Sequence, residues 1–176
     1  MIIPLLHRVT EGLQKFNIPY MLSGSVAMSV YTLPRMTMDI NIVIELSHNN
    51  VDEFLSLFRE DFYVDSTSVK EEIRRNGMFN VIDFKSGFKV DFIIKKESEY
   101  RKLEFSRKQK KRIGGKEVWV VSSEDLVISK IEWIQLLQSP KQINDIENLL
   151  DNKEIDKNYI LKWCNTLKLN TFNFLK

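Results

Sequence analysis

The 176-residue sequence contains a single cysteine, Cys164, and only two histidines, His7 and His48. One cysteine excludes an internal disulfide framework and suits a reducing compartment. Two isolated histidines, with no Cys–His spacing, leave no zinc motif and no histidine-based catalytic arrangement in view. No apolar run is long enough to span a bilayer, and Met1 to Arg8 holds too short an apolar stretch for a signal peptide. A soluble cytoplasmic protein with no membrane partner is expected by elimination. Charge of one sign is also lacking: 26 basic against 24 acidic residues give a formal net charge of +2. The chain as a whole therefore offers no field that would draw in nucleic acid. Internal repeats and low-complexity segments are absent.

What is present suits a globular domain. The length fits one domain, and 43% hydrophobic residues are enough for an ordinary core. Leu5, Leu6, Val9, Leu13 and Phe16 recur at helical spacing behind Pro4. Tyr20–Leu22 reads as a short buried strand, and Ser23-Gly24-Ser25 turns it into a helix over about 26–31, with Ser25 as its cap. Residues 39–45 alternate as a strand, with Ile40, Ile42 and Ile44 on one face and Asp39, Asn41 and Val43 on the other. A helix is expected over about 50–59, a short strand at 62–64 and a helical turn over 69–75. Lys85-Ser86-Gly87 joins strands 80–84 and 88–94 as a hairpin, and Gly114-Gly115 marks a second one. From Ser123 onward the pattern is helical: an apolar stripe runs through Leu126, Ile128, Ile131, Ile134 and Leu137, Pro140 interrupts it, a second helix covers about 141–150 and Asp156 caps a third, with Trp119, Trp133 and Trp163 at apolar positions expected in the core. The expectation is an α/β sandwich core over 1–122 and a C-terminal helical segment over 123–176 packed on it as one unit.

Three places carry possible chemistry. A turn into a helix N-terminus presents free N–H groups to an anion, and Gly24 lets a ligand approach the backbone closely; a capped helix that binds nothing satisfies the same pattern. Asp39 and Asn41, two apart on a strand, point the same way. Asp91 sits in the otherwise apolar strand Lys89–Ile94 and can join them, or can simply pair with Lys89. Hard cations such as Mg²⁺ take oxygen ligands of this kind together with substrate phosphates. Finally, Arg101, Lys102, Arg107, Lys108, Lys110, Lys111, Arg112 and Lys116 gather around Phe105. Such a run can track a phosphate backbone or can be a solvated surface.

Taken together these motifs resemble the polymerase-beta-like nucleotidyltransferases. Gly24-Ser25-Val26-Ala27, Arg35-x-Thr37-x-Asp39, Lys89-Val90-Asp91, Ser123 to Lys130 and Gln142-x-Asn144-Asp145-Ile146 are similar to the AbiEii/MenT type, a bacterial family that includes toxins. The resemblance covers about Met1 to Leu167. It implies a nucleotidyltransferase-type mixed sheet flanked by helices, and a Mg²⁺-dependent transfer of a nucleoside monophosphate from an NTP to a hydroxyl of RNA, protein or a small molecule. It implies that Gly24 and Ser25 hold the triphosphate and that Asp39 binds metal. Asp91 then binds the catalytic metal or acts as base, and Lys130 and Asp145 contact the nucleotide. Arg35 and Thr37 support the loop or meet a phosphate. Asn41 stands where the family has a carboxylate, so the metal set reads Asp39, Asn41 and Asp91, with only two charges. A member that holds nucleotide, RNA such as tRNA, or a partner such as a cognate antitoxin without catalysis is the alternative. Lys130 as a solvated charge and Asp145 as an exposed helix residue are the plain readings of those two positions.

Overall fold

The computed structural model describes residues 2–175. In chain order the elements are α1 (Ile2–Lys15), β1 (Tyr20–Ser23), α2 (Gly24–Met28), β2 (Asp39–Ile44), α3 (Val51–Ser56), β3 (Phe62–Tyr63), α4 (Ser66–Arg75), β4 (Met78–Asp83), β5 (Lys89–Ile94), α5 (Glu99–Ser106), β6 (Gln109–Ile113), β7 (Lys116–Val120), α6 (Ser123–Trp133), α7 (Pro140–Leu150) and α8 (Lys157–Thr166). The strands form one seven-stranded sheet in the order β3-β4-β5-β2-β1-β7-β6. It is mixed: β1 runs antiparallel to β2 and parallel to β7, while β2 runs parallel to β5. This is the mixed α/β architecture that the sequence predicts. No described helix is long and apolar enough to cross a membrane.

Period-two alternation gives the sheet two different faces. Ile40, Ile42 and Ile44 of β2 are buried with Leu5, Leu6, Val9 and Leu13 of α1. Phe54 and Phe58 meet Phe79 and Phe92 on the same side in edge-on and tilted ring pairs, with centroids 4.9–5.7 Å apart. The other face of β2 carries Asp39, Asn41 and Val43, each half-buried. One face is thus a packed core and the other is left open for polar side chains.

The C-terminal helices are tied on by a buried acid. Asp125, fully buried, accepts from Ser122 Oγ at 2.7 Å, Tyr159 Oη at 2.9 Å, Arg107 Nε at 3.0 Å and Tyr100 Oη at 3.2 Å. Those donors come from α5, α8 and the segments beside α5 and α6, so one carboxylate joins three helices. Its burial is tolerable because every lone pair is matched.

Three local expectations are corrected. The helix after β1 begins at Gly24, not Val26, and ends at Met28. Ser23 precedes it and makes no side-chain cap bond, while Ser25 lies inside the first turn. Trp163 is buried and Trp119 half-buried, but Trp133 is 66% exposed. It lies off the covered stripe of α6, which continues past it through Ile131 to the buried Ile134, and Leu137, one turn beyond Ile134, is exposed as well.

Candidate functional site

The site is built where β1 hands over to α2 across from β2 and β5. Gly24 adopts φ +64, a left-handed conformation open to glycine and costly for other residues. A Cβ there would stand 2.6 Å from Asn41 Nδ2. The glycine is therefore required twice, by backbone and by contact. Gly24→Ala is expected to cost about 1–2 kcal/mol in backbone strain alone, lowering the melting temperature by roughly 2–8 °C. Pairing it with Asn41→Ala removes the clash but not the strain, so calorimetry on the double variant should recover only part of the loss. Full recovery would mean that the φ carries no cost.

Strand register arranges the polar face. Ser23 of β1 is opposite Asn41 of β2, Asn41 opposite Asp91 of β5, and Asp91 opposite Asn80 of β4. Ser23, Asn41, Asp91 and Asn80 thus form one row across four strands, holding a single acid. The next row pairs Asp39 with Lys89. Asp39 and Asp91 lie on a diagonal, with Cα atoms about 8 Å apart by strand geometry. Asp39 is held at both carboxylate oxygens: the Thr37 hydroxyl donates to Oδ1, and Asn41 Nδ2 donates to Oδ2 at 3.3 Å. Partial burial works against ionisation of Asp39, but these two hydrogen bonds and the charge of Lys89 outweigh it and keep its carboxyl below the usual aspartate range. Asp91 is 6% exposed, and its Oδ2 is 3.0 Å from Lys89 Nζ. The simpler reading of Asp91, a pair with Lys89, is therefore realised, and it coexists with the approach to Asp39 and Asn41. An aspartate in place of Asn41 would set two charges about 4 Å apart, a repulsion of about 4 kcal/mol at an effective dielectric of 20.

A second cluster borders the first. Arg35, from the loop between α2 and β2, donates Nε and Nη2 to the two oxygens of Asp145 on α7, at 3.1 and 3.0 Å. The same Nη2 reaches Ser25 Oγ at 2.6 Å. Lys130 Nζ on α6 meets Asp145 Oδ2 at 2.8 Å. Asp145 is 1% exposed, which overturns its reading as a surface helix residue. Lys130 is not a solvated charge either, with 12% of its side chain exposed. Burial would raise the Asp145 pKa, but the bonds and charges of Arg35 and Lys130 prevail and hold it low. Across both clusters three acids, Asp39, Asp91 and Asp145, are matched by three cations, Lys89, Arg35 and Lys130.

All the candidate residues thus reach the open face or the network beside it. Sequence reasoning passed over Asn80 and Ser23 as neighbours of Asp91 and Asn41. Counting outward from the turn Lys85-Ser86-Gly87 pairs Asn80 with Phe92; the hairpin closes instead on residues 84–87, with Asp83 N donating to Phe88 O, and this one-residue shift sets Asn80 opposite Asp91. The basic run does not form one patch. Arg101 pairs with Glu104 and Glu132, Lys102 with Glu97, Arg107 with Glu124 and Asp125, and Lys116 with Glu11. Lys108 packs over the rings of Phe105 and Trp119, where burial lowers its pKa, and Lys110 also lies over Trp119. Those last two lysines line a cleft with Gln14, Tyr20 and Trp119, toward the end of β1 away from Gly24.

A divalent ion fits this site in part. Asp39 offers an ionised carboxylate on an open face, with the oxygen-bearing side chains of Asn41 and Asp91 beside it. The donor set carries too little charge for two ions, since Asn41 is neutral and Lys89 already neutralises Asp91.

No protein-family model matches the chain, and no curated protein matches its sequence. Likeness is found in solved structures. The solution structure of the antibiotic-resistance factor ANT(2'')-Ia aligns with a TM-score of 0.63 at 13% identity, over 94% of this chain and 90% of that one. The crystal structure of the lincosamide antibiotic adenylyltransferase LnuA with lincomycin bound aligns at 0.54 and 12% identity, over 83% and 94%. An antigenic nucleotidyltransferase-like protein from Paracoccidioides brasiliensis aligns at 0.54 and 18% identity, over 98% and 90%. The fold is that of nucleotidyltransferases.

Proposed function

We propose that the chain binds a nucleoside triphosphate together with Mg²⁺ and transfers the nucleoside monophosphate to a hydroxyl. The observation that carries this reading is the convergence of Asp39, Asn41 and Asp91 on one open sheet face beside Gly24, in a fold shared with adenylyltransferases.

Each residue has a role that its chemistry supports. Gly24 brings the backbone close to the triphosphate, and Ser25 offers its hydroxyl. Arg35 and Lys130 supply positive charge to the phosphates, and Asp145 fixes both in place. Asp39 holds the ion, with Thr37 and Asn41 orienting its carboxylate. The ion, when bound, polarises the phosphate oxygens and stabilises the departing pyrophosphate. Asp91 accepts the proton of the attacking hydroxyl. Rate enhancement comes chiefly from holding nucleophile and phosphate in line.

The resemblance to the AbiEii/MenT type extends the reading to a toxin with RNA such as tRNA as acceptor and a cognate antitoxin as partner. The structural likeness to antibiotic-modifying proteins extends it instead to a small molecule with a hydroxyl. Asn41 favours a second reading, in which nucleotide is held without turnover. One experiment separates these. NTP binding is measured with and without Mg²⁺, and transfer of an α-labelled phosphate to RNA and to hydroxyl-bearing small molecules is followed for the natural chain and for Asn41→Asp. Binding that needs Mg²⁺ and transfer that rises in Asn41→Asp are expected. Binding by both chains with transfer only in the variant supports the second reading. If neither chain binds any NTP, the proposal fails.

A further inference from the structure

Strand register sets four side chains at the corners of one patch. Asp39 and Lys89 share a row, and Asn41 and Asp91 share the next. The two acids occupy one diagonal, and the ammonium and the amide occupy the other. Each acid is thereby answered from within the chain. Lys89 Nζ is 3.0 Å from Asp91 Oδ2, and Asn41 Nδ2 is 3.3 Å from Asp39 Oδ2. The charge of Lys89 also favours the ionised form of Asp39.

A pair of divalent ions requires the opposite arrangement. It needs carboxylates shared between the ions and no fixed cation among them. Among the described residues, no three His, Cys, Asp or Glu side chains converge as a metal-holding group. Substituting the amide at position 41 removes the charge that a second ion would answer. Lys89 then supplies one positive charge to Asp91, where the second ion would have supplied two. Its root is fixed by β5, which lies between β2 and β4, and its side chain is 46% exposed, so the ammonium faces the open side.

We propose that Lys89 serves as a built-in cation in place of a second divalent ion, so that the site takes one divalent ion, at Asp39, together with the nucleotide. Lys89 is a positioning residue in this scheme. It neutralises Asp91 and holds it beside Asn41 without itself leaving the strand. The proposal rests on the nucleotide-binding reading above and adds the number of ions and the residue that sets it.

The test counts ions rather than turnover. Mn²⁺ binding is titrated by electron paramagnetic resonance with the α,β-methylene analogues of the four nucleoside triphosphates, and analogue binding is followed separately by calorimetry. One Mn²⁺ per chain is expected for the natural protein. Two are expected for the double variant Asn41→Asp, Lys89→Met, the second at least tenfold tighter than any second ion in the natural chain. Asn41→Asp, Lys89→Arg, which keeps the fixed charge, should bind the second ion more weakly than the Met variant does. Circular dichroism confirms that each variant is folded. Two Mn²⁺ of comparable affinity in the natural chain would overturn the proposal while leaving the nucleotide reading intact. A single ion in the Met double variant, or equal second-ion affinity with Met and Arg, would overturn it too. Failure of every analogue to bind the natural chain would overturn both readings.

Discussion

Asp145→Ala should destabilise the protein by about 3–5 kcal/mol, the usual cost of removing one partner from a buried ion pair. The acid is 1% exposed and is the meeting point of Arg35 and Lys130. Its removal leaves two like charges facing each other, with side-chain exposures of only 28% and 12%. At this chain length the melting temperature should fall by roughly 6–20 °C. The pH dependence carries the same signature. The folded pKa of Asp145 lies below its unfolded value of 3.8. Its contribution is therefore complete above that pH and is lost as pH falls through the lower folded value. Acid melts of natural and variant chains should converge below pH 3.8 as far as this residue is concerned. On the proposed function, NTP should raise the melting temperature of Asp145→Ala more than that of the natural protein, since phosphates can partner the orphaned cations. An equal shift in both would separate Asp145 from the nucleotide.

On the proposed function, Asp91→Asn should lower nucleotidyl transfer by about 10²–10⁴-fold, the range for loss of a general base. The substitution keeps the shape of the side chain. Asp91 is paired with one partly exposed lysine and is not tied into the helical packing, so the fold should be little affected. Nucleotide affinity should be largely kept, because the proposed function places the phosphate contacts at Gly24, Ser25, Arg35 and Lys130. The measurement is single-turnover transfer, made in the Asn41→Asp background if the natural rate is too low to follow. The discriminating readout is the split between the two measurements, the transfer rate falling while nucleotide affinity holds. A fall confined to nucleotide affinity, with the transfer step unchanged, would remove Asp91 from the role of base.

The two predictions concern clusters that were visible to different degrees. Asp39, Asn41 and Asp91 were legible because alternation is local. Two residues apart on a strand means one face, and the isoleucines of β2 show which face is core. The turn at Lys85–Gly87 marks β4 and β5 as a hairpin, but their register lies one residue away from the count that a three-residue turn gives, and only the pairing itself decides it. Lys89 was legible only as a neighbour of Asp91, and its place beside Asp39 depends on the pairing of β5 with β2, strands separated by more than forty residues of chain.

What the sequence alone determined was the order and type of most elements, the inward and outward faces of the strands, and the acids on the open face. These follow from periodicities of two and 3.6 that any short window contains. Only the tertiary structure decided which charges meet. Arg35 and Asp145 are 110 positions apart, joined through a loop without periodicity and a helix whose docking angle no local pattern encodes. The same is true of Asp125, a helix-start acid by sequence that becomes the joint between α5, α6 and α8. It is true in the opposite sense of Trp133, apolar in the pattern and exposed in the fold. Burial of a residue depends on what other elements place against it, and that is a property of the whole packed chain.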